Sequence, residues 1–297
     1  MTSTDTYTCR WCRNAMQLAG ETSCRFCGAP VDLREAVSNS GWTELPAIKD
    51  MARLQFGRSY CQIEGTYVPV ADFNLAQDEG VYFAHHLLLW KDHPVNISLM
   101  SLGGAWKRMW AGLPLIMTQA HGPGHVAFSR DVPGEVVALP LHPGQAVDVR
   151  EHLFMVATSQ VTYTWFNSGI WFQTKDGDDT ETHYPLGQFM DRFYAQEQPG
   201  LLLLHAAGNS FERTLAPGET ILVKPTSLLF KDATVAMQLH FEYPNAGFWR
   251  PWRAWGNRYL LLRLFGPGRV AVMSGHGHFH DPGTNVVQCS LATRRQW

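Results

Sequence analysis

From Arg53 to Ser274 the chain is written in short apolar or alternating runs, separated at close intervals by Gly, Pro and Asn turns. That pattern predicts an all-β sandwich or barrel. Ala146-Val-Asp-Val149 and Val161-Thr-Tyr-Thr-Trp-Phe166 are the clearest strands, rich in the β-branched and aromatic side chains that suit a pleated surface. Helical periodicity is weak. Its exceptions are Gly104-Ala-Trp-Lys-Arg-Met-Trp110 and a segment around Leu186 to Tyr194, where short helices are expected.

Two motifs echo along this region. Leu141-His-Pro-Gly-Gln-Ala-Val-Asp-Val returns as Leu215-Ala-Pro-Gly-Glu-Thr-Ile-Leu-Val, and more faintly as Leu75-Ala-Gln-Asp-Glu-Gly-Val-Tyr-Phe. Alongside run Gly122-Pro-Gly-His-Val-Ala-Phe and Gly266-Pro-Gly-Arg-Val-Ala-Val, with Gln198-Pro-Gly-Leu-Leu-Leu-Leu in the middle slot. Motifs that alternate three times in one order predict three superposable β-units, around 75–131, 141–209 and 215–276, about an approximate internal threefold axis. The Pro-Gly pairs suit tight turns, with Pro fixing φ and Gly accepting positive φ. Phosphate binding is not expected there, because the glycines lead into strands and lack the Lys-Ser/Thr and helix start of a phosphate loop.

Four of the six cysteines fall as Cys9-x2-Cys12 and Cys24-x2-Cys27. Two such turns brought together complete a tetrahedron of thiolates around one structural Zn²⁺. Paired disulfides are disfavoured without a secretion signal, and a redox pair would sit in a βαβ context that this segment lacks. Gly28 supports the second knuckle, since a residue without Cβ takes the positive φ that lets amides approach a thiolate. The expected organisation is a zinc ribbon over 1–33, a linker with a short turn or helix over 34–52, the three-repeat β domain over 53–275 and a C-terminal extension over 276–297. Trp11 and Phe26 each sit inside a knuckle, where they cover its small core or offer a contact to a partner; packing is the preferred use.

Composition narrows the function classes. With 45% hydrophobic and 17% charged residues the chain reads as globular, and a formal charge of −2 with pI near 6.7 gives no electrostatic footprint for nucleic acid. The apolar runs fall far short of the roughly 20 residues that span a bilayer. Met1-Thr-Ser-Thr-Asp5 shows no signal peptide, so a cytoplasmic location is expected, with peripheral membrane association allowed.

Outside the cysteines, His276-Gly-His278-Phe-His280 is the most suggestive polar cluster, read as a second metal site or as a solvated extension. Asp176-Gly-Asp178-Asp179 with Glu181 lacks calcium-loop spacing and reads as a charged hairpin tip. His85 and His86 alternate faces if their segment is a strand. Cys61 and Cys289 read as small buried hydrophobes. Phe248-Trp-Arg-Pro-Trp-Arg-Ala-Trp255 places Trp249, Trp252 and Trp255 beside two arginines, either to clamp down an insertion or to meet a partner. No nucleophile elbow, His-Glu-x-x-His helix or Walker loop is present, so no enzymatic activity is expected.

The segment Gly104-Ala-Trp-Lys-Arg-Met-Trp-Ala-Gly112-Leu-Pro-Leu-Ile-Met117, followed by Gly122-Pro-Gly-His-Val126 and two Leu-x-Pro-Gly-Gln/Glu strands, resembles the altered-inheritance-of-mitochondria, number twenty-four family. The resemblance covers roughly residues 53–275. It implies a β fold akin to the trp RNA-binding attenuation protein and supplies no catalytic signature. The leading expectation is a non-catalytic scaffold or adaptor with one structural zinc, binding other proteins, with a membrane surface or a homo-oligomer as further partners. The alternative is a small-ligand or metal-binding β-domain with an enzymatic or sensory role.

Overall fold

The structure, a computed structural model, describes residues 6–9, 12–17, 23–28, 36–37, 41–45, 53–100, 117–176, 178–242, 258–277 and 286–290. In chain order the strands are β1 (Thr6–Thr8), β2 (Ala15–Gln17), β3 (Ala36–Val37), β4 (Trp42–Glu44), β5 (Arg53–Phe56), β6 (Ser59–Glu64), β7 (Val70–Leu75), β8 (Gly80–Ala84), β9 (Leu88–Lys91), β10 (Asn96–Leu99), β11 (Met117–His121) and β12 (Gly124–Ser129). They continue as β13 (Glu135–Leu141), β14 (Ala146–Arg150), β15 (Phe154–Thr158), β16 (Val161–Asn167), β17 (Phe172–Asp176), β18 (Asp179–His183), β19 (Phe189–Ala195) and β20 (Gly200–Ala206). The last are β21 (Ser210–Leu215), β22 (Thr220–Val223), β23 (Leu228–Asp232), β24 (Ala236–Glu242), β25 (Tyr259–Phe265), β26 (Gly268–Met273) and β27 (Val286–Cys289). The protein is all-β and built of several sheets.

The strands that carry the echoed motifs pair alike. β7 with β12, β13 with β20 and β21 with β26 are antiparallel partners. β8 with β11, β14 with β19 and β22 with β25 form the second such set. Two composite sheets follow, in the orders β10-β11-β8-β15-β20-β13 and β16-β19-β14-β23-β26-β21-β4-β3. Each is bridged at its centre, by β8 with β15 or by β14 with β23. The remaining members lie in two separate sheets, β22-β25-β24 and β5-β6-β7-β12-β9, and no pairing joins β22 to β9.

Side chains explain why the echoes have their spelling. After the Pro-Gly turns, Gln145 Oε1 accepts the His142 amide at 2.9 Å and Glu219 Oε2 accepts the Ala216 amide at 2.8 Å, so the Gln/Glu closes its own turn. Gly144 and Gly218 take φ near +80° there, as expected from Pro-Gly. In the second motif the amides of His125, Leu201 and Arg269 donate to Asp92 Oδ2, Thr158 Oγ1 and Asp232 Oδ2 at 2.8, 3.0 and 2.8 Å. Gly122 and Gly266 pack so closely that a Cβ would stand 2.2 Å from the Ala76 carbonyl oxygen and 2.3 Å from that of Ala216.

The main core packs the β10-β11-β8-β15-β20-β13 sheet against the other two large sheets, with Phe83 against Phe128 of β12 at 4.5 Å and Phe154 stacked on Phe193 of β19 at 4.8 Å between ring centroids. It runs without a break into Cys9, Met16 and Cys24 of the N-terminal segment. A second cluster, including Phe172, Leu239, Leu262 and Leu264, lies under β22 to β25.

Several expectations change. The segment around Leu186 to Tyr194 is not helical: it holds β19, which is paired on both sides by β14 and β16, so sheet pairing outweighs the local period. His85–Leu87 form a 3₁₀ turn rather than a strand. Within 34–52, β3 and β4 pair with each other, and β4 extends the sheet beside β21. Beyond 276, β27 pairs with β17. The segment 104–110 lies outside the described residues.

Candidate metal centre

The first knuckle is the turn between β1 and β2. Cys9 donates its amide to the Asn14 carbonyl at 2.9 Å, and Arg13, at φ +62°, donates to the Cys9 carbonyl at 2.9 Å. This folds Cys9 and Cys12 to one side, where Asn14 Nδ2 stands 3.4 Å from Cys12 Sγ. The second knuckle closes by the Gly28 amide donating to the Cys24 carbonyl at 2.7 Å. Gly28 has φ +71°, and a Cβ on it would lie 3.0 Å from the Arg53 carbonyl oxygen. A side chain there would both strain the knuckle and press on β5.

The four sulfurs converge, all within 4.8 Å of one another. Cys9 to Cys27 and Cys12 to Cys24 are each 3.7 Å apart. A Zn–S bond of about 2.3 Å in a tetrahedron implies sulfur separations of about 3.8 Å, so the donor set fits Zn²⁺. A disulfide would need about 2.05 Å. Burial acts to raise the Cys24 thiol, yet the Phe26 and Cys27 amides and hydrogen bonds with Cys9 and Cys27 bring it down to about 7, which favours the thiolate a metal requires. Among the described residues no other group of His, Cys, Asp and Glu converges in this way.

The knuckles rest on the β body. Arg13 Nε donates to His142 Nε2 at 3.2 Å. A cleft of about 360 Å³ remains between Cys12, Cys27 and the Phe56, Glu79, Gln160 and Gln198 side. Its carboxylate is already engaged, since Glu79 accepts the Arg58 amide at 2.9 Å and the Ser59 hydroxyl.

Phe26 is 51% exposed, with the Arg25 guanidinium 4.9 Å from its ring centroid. It therefore faces outward, against the preferred packing use. Trp11, Trp249, Trp252, Trp255, His278 and His280 lie outside the described residues. His276 is exposed, with Nδ1 3.0 Å from the Ser274 carbonyl oxygen. Asp176 and Asp179 are backbone partners at the end of the β17–β18 hairpin. Cys61 is fully buried and its thiol is pushed well up, first by burial and then by Asp72. Cys289 is half-buried.

One polar group escaped the sequence reading. Asp148, fully buried in β14, takes Arg192 Nε and Nη2 at 2.6 and 3.0 Å and Lys231 Nζ at 2.7 Å. The signal was a lone aspartate inside Ala146-Val-Asp-Val149, whose partners are remote in sequence. Among the described residues no helix is long and apolar enough to cross a membrane.

These features make the chain an all-β protein of short paired strands that carries a four-cysteine donor set beside its N-terminal strands. A family model described as "Mitochondrial biogenesis AIM24" matches residues 61–275, and the chain belongs to that family. The cysteines precede the matched segment. A crystal structure of a Streptococcus pyogenes protein is similar at 18% identity, with a TM-score of 0.54, covering 74% of this chain and 94% of that one. That likeness concerns the fold alone. Comparison with curated proteins finds no match.

Proposed function

We propose that this protein is a non-catalytic scaffold or adaptor whose N-terminal ribbon, folded around one structural Zn²⁺, presents a contact surface to partner proteins in a process related to mitochondrial biogenesis. Membership of the family supports the cellular setting. The ribbon's role rests on its donor set: four thiolates fill a tetrahedral zinc, leave no open coordination position and so hold structure rather than react. The observation that carries the reading is the outward Phe26 with Arg25 over its ring, because aromatic and arginine side chains are the residues that anchor protein interfaces. The fold is read as akin to that of the trp RNA-binding attenuation protein, with the thrice-used strand pairing as support.

Photo-crosslinking from position 26 in native extract tests this, with exposed Glu64 on β6 as the control position. A protein captured from position 26, absent from the control and lost on Arg25→Glu at unchanged zinc content, is the expected result. Identical capture profiles from the two positions would overturn it.

A further inference from the structure

The strand pairing that joins successive parts of this chain is used twice and then left unfinished. β8 pairs with β15 through Val81–Thr158, Tyr82–Ala157 and Phe83–Val156. β14 pairs with β23 through Val147–Asp232, Asp148–Lys231 and Val149–Phe230. The third strand of the first kind is β22 and the third of the second kind is β9, and among the described residues each has one unpaired edge. The correspondence of β9 with β15 and β23 is fixed by their common neighbours. Leu88, Phe154 and Leu228 face Phe128, Leu204 and Val272; each pair is followed by a bulge; then Trp90, Val156 and Phe230 face Ala127, Leu203 and Ala271.

Burial marks what is missing. Phe154, Met155 and Val156, like Leu228, Leu229 and Phe230, are 0–4% exposed, whereas Leu88, Leu89 and Trp90 at the same positions of β9 are 37–52% exposed. On the opposite strand Tyr82 and Asp148 are at most 2% exposed and their counterpart Leu222 is 40% exposed. An apolar strand with a free edge is a template for another strand. Its complement is the edge this same chain carries at its far end.

We propose that β22 of one copy pairs with β9 of a second copy, antiparallel, with Val223 opposite Trp90, Leu222 opposite Lys91 and Ile221 opposite Asp92. Sheets β24-β25-β22 and β9-β12-β7-β6-β5 then join into a composite sheet of the same order as the two internal ones. The contact is head to tail, so copies add until a ring closes or, where the rotation does not close, as a filament. It deepens the scaffold reading and rests on it, naming a second copy as one partner, but it does not involve the ribbon surface.

The register supplies the test. Lys91 occupies the position of Lys231, whose partner across the internal junction is Asp148 at 2.7 Å. Leu222→Lys sets like charges face to face, whereas Leu222→Asp reproduces the internal pair. Mass determination in solution should give wild type as a multiple of the 33.4 kDa chain, Leu222→Lys as monomer and Leu222→Asp as the wild-type assembly. Leu222→Lys combined with Lys91→Asp should reassemble. Wild type that stays monomeric, or Leu222→Lys that stays assembled, overturns the pairing, and monomeric protein in which circular dichroism shows the strands intact excludes misfolding as the reason. Crosslinking from position 26 is unaffected by either outcome, so failure here leaves the ribbon reading standing.

Discussion

Acid should weaken this fold through one imidazole. His205 lies on β20 with 2% of its surface exposed, and its side chain is pushed down to about 4, first by burial, then by the Arg130 charge, against a bond to the Val132 backbone that favours the cation. An unfolded histidine titrates near 6.5. Below that value the unfolded chain binds a proton that the folded chain refuses, so stability is intact above pH 6.5 and is lost as the pH falls towards 4. With about 1.4 kcal/mol for each unit of displacement, the full loss is about 3 kcal/mol. The comparison variant is His205→Met, because Met273 is the residue that faces Ser210 on β21 as His205 faces Val136 on β13, and it is equally buried there. Urea unfolding at pH 7, 5.5 and 4 on both proteins isolates the term, since the carboxylates titrate in each. Wild type should lose about 3 kcal/mol more than the variant between pH 7 and 4. Parallel pH profiles would show that His205 is protonated in the folded state without penalty, and the burial argument would fail.

Removal of Asp148 leaves Lys231, itself 4% exposed, without its counter-charge; Asp148→Ala should cost about 3–5 kcal/mol in urea unfolding, and a loss under 1 kcal/mol would contradict the pair's role. Gly122→Ala and Gly266→Ala drive a Cβ into backbone oxygens and should each lower the thermal midpoint, whereas Gly144→Ala, with open space around its Cβ position, should be penalised only for its φ. Cys24→Ser should abolish zinc retention and expose residues 1–33 to protease while β-domain unfolding persists, and unchanged zinc content would refute the four-sulfur site.

Much of this was legible because it depends on neighbours in sequence. Two Cys-x2-Cys turns bring their sulfurs together by local geometry, and Pro-Gly followed by Gln145 or Glu219 writes a turn and its closing bond within four residues. Alternation with β-branched residues marked β14 and β16. What stayed hidden depends on remote pairing. The Leu186–Tyr194 segment has a helical period that only β14 and β16 override. Asp148 finds Arg192 and Lys231 on other strands, and Asp92, Thr158 and Asp232 share one task despite unlike surroundings in sequence. The outward turn of Phe26 shows only in the folded knuckle, where half of its surface stays exposed.

Native mass spectrometry of the intact protein under reducing conditions bears most directly on the proposal of a zinc-folded, self-associating scaffold. The expected spectrum shows more than one chain per particle and one zinc ion on every chain. A monomer without metal would contradict it.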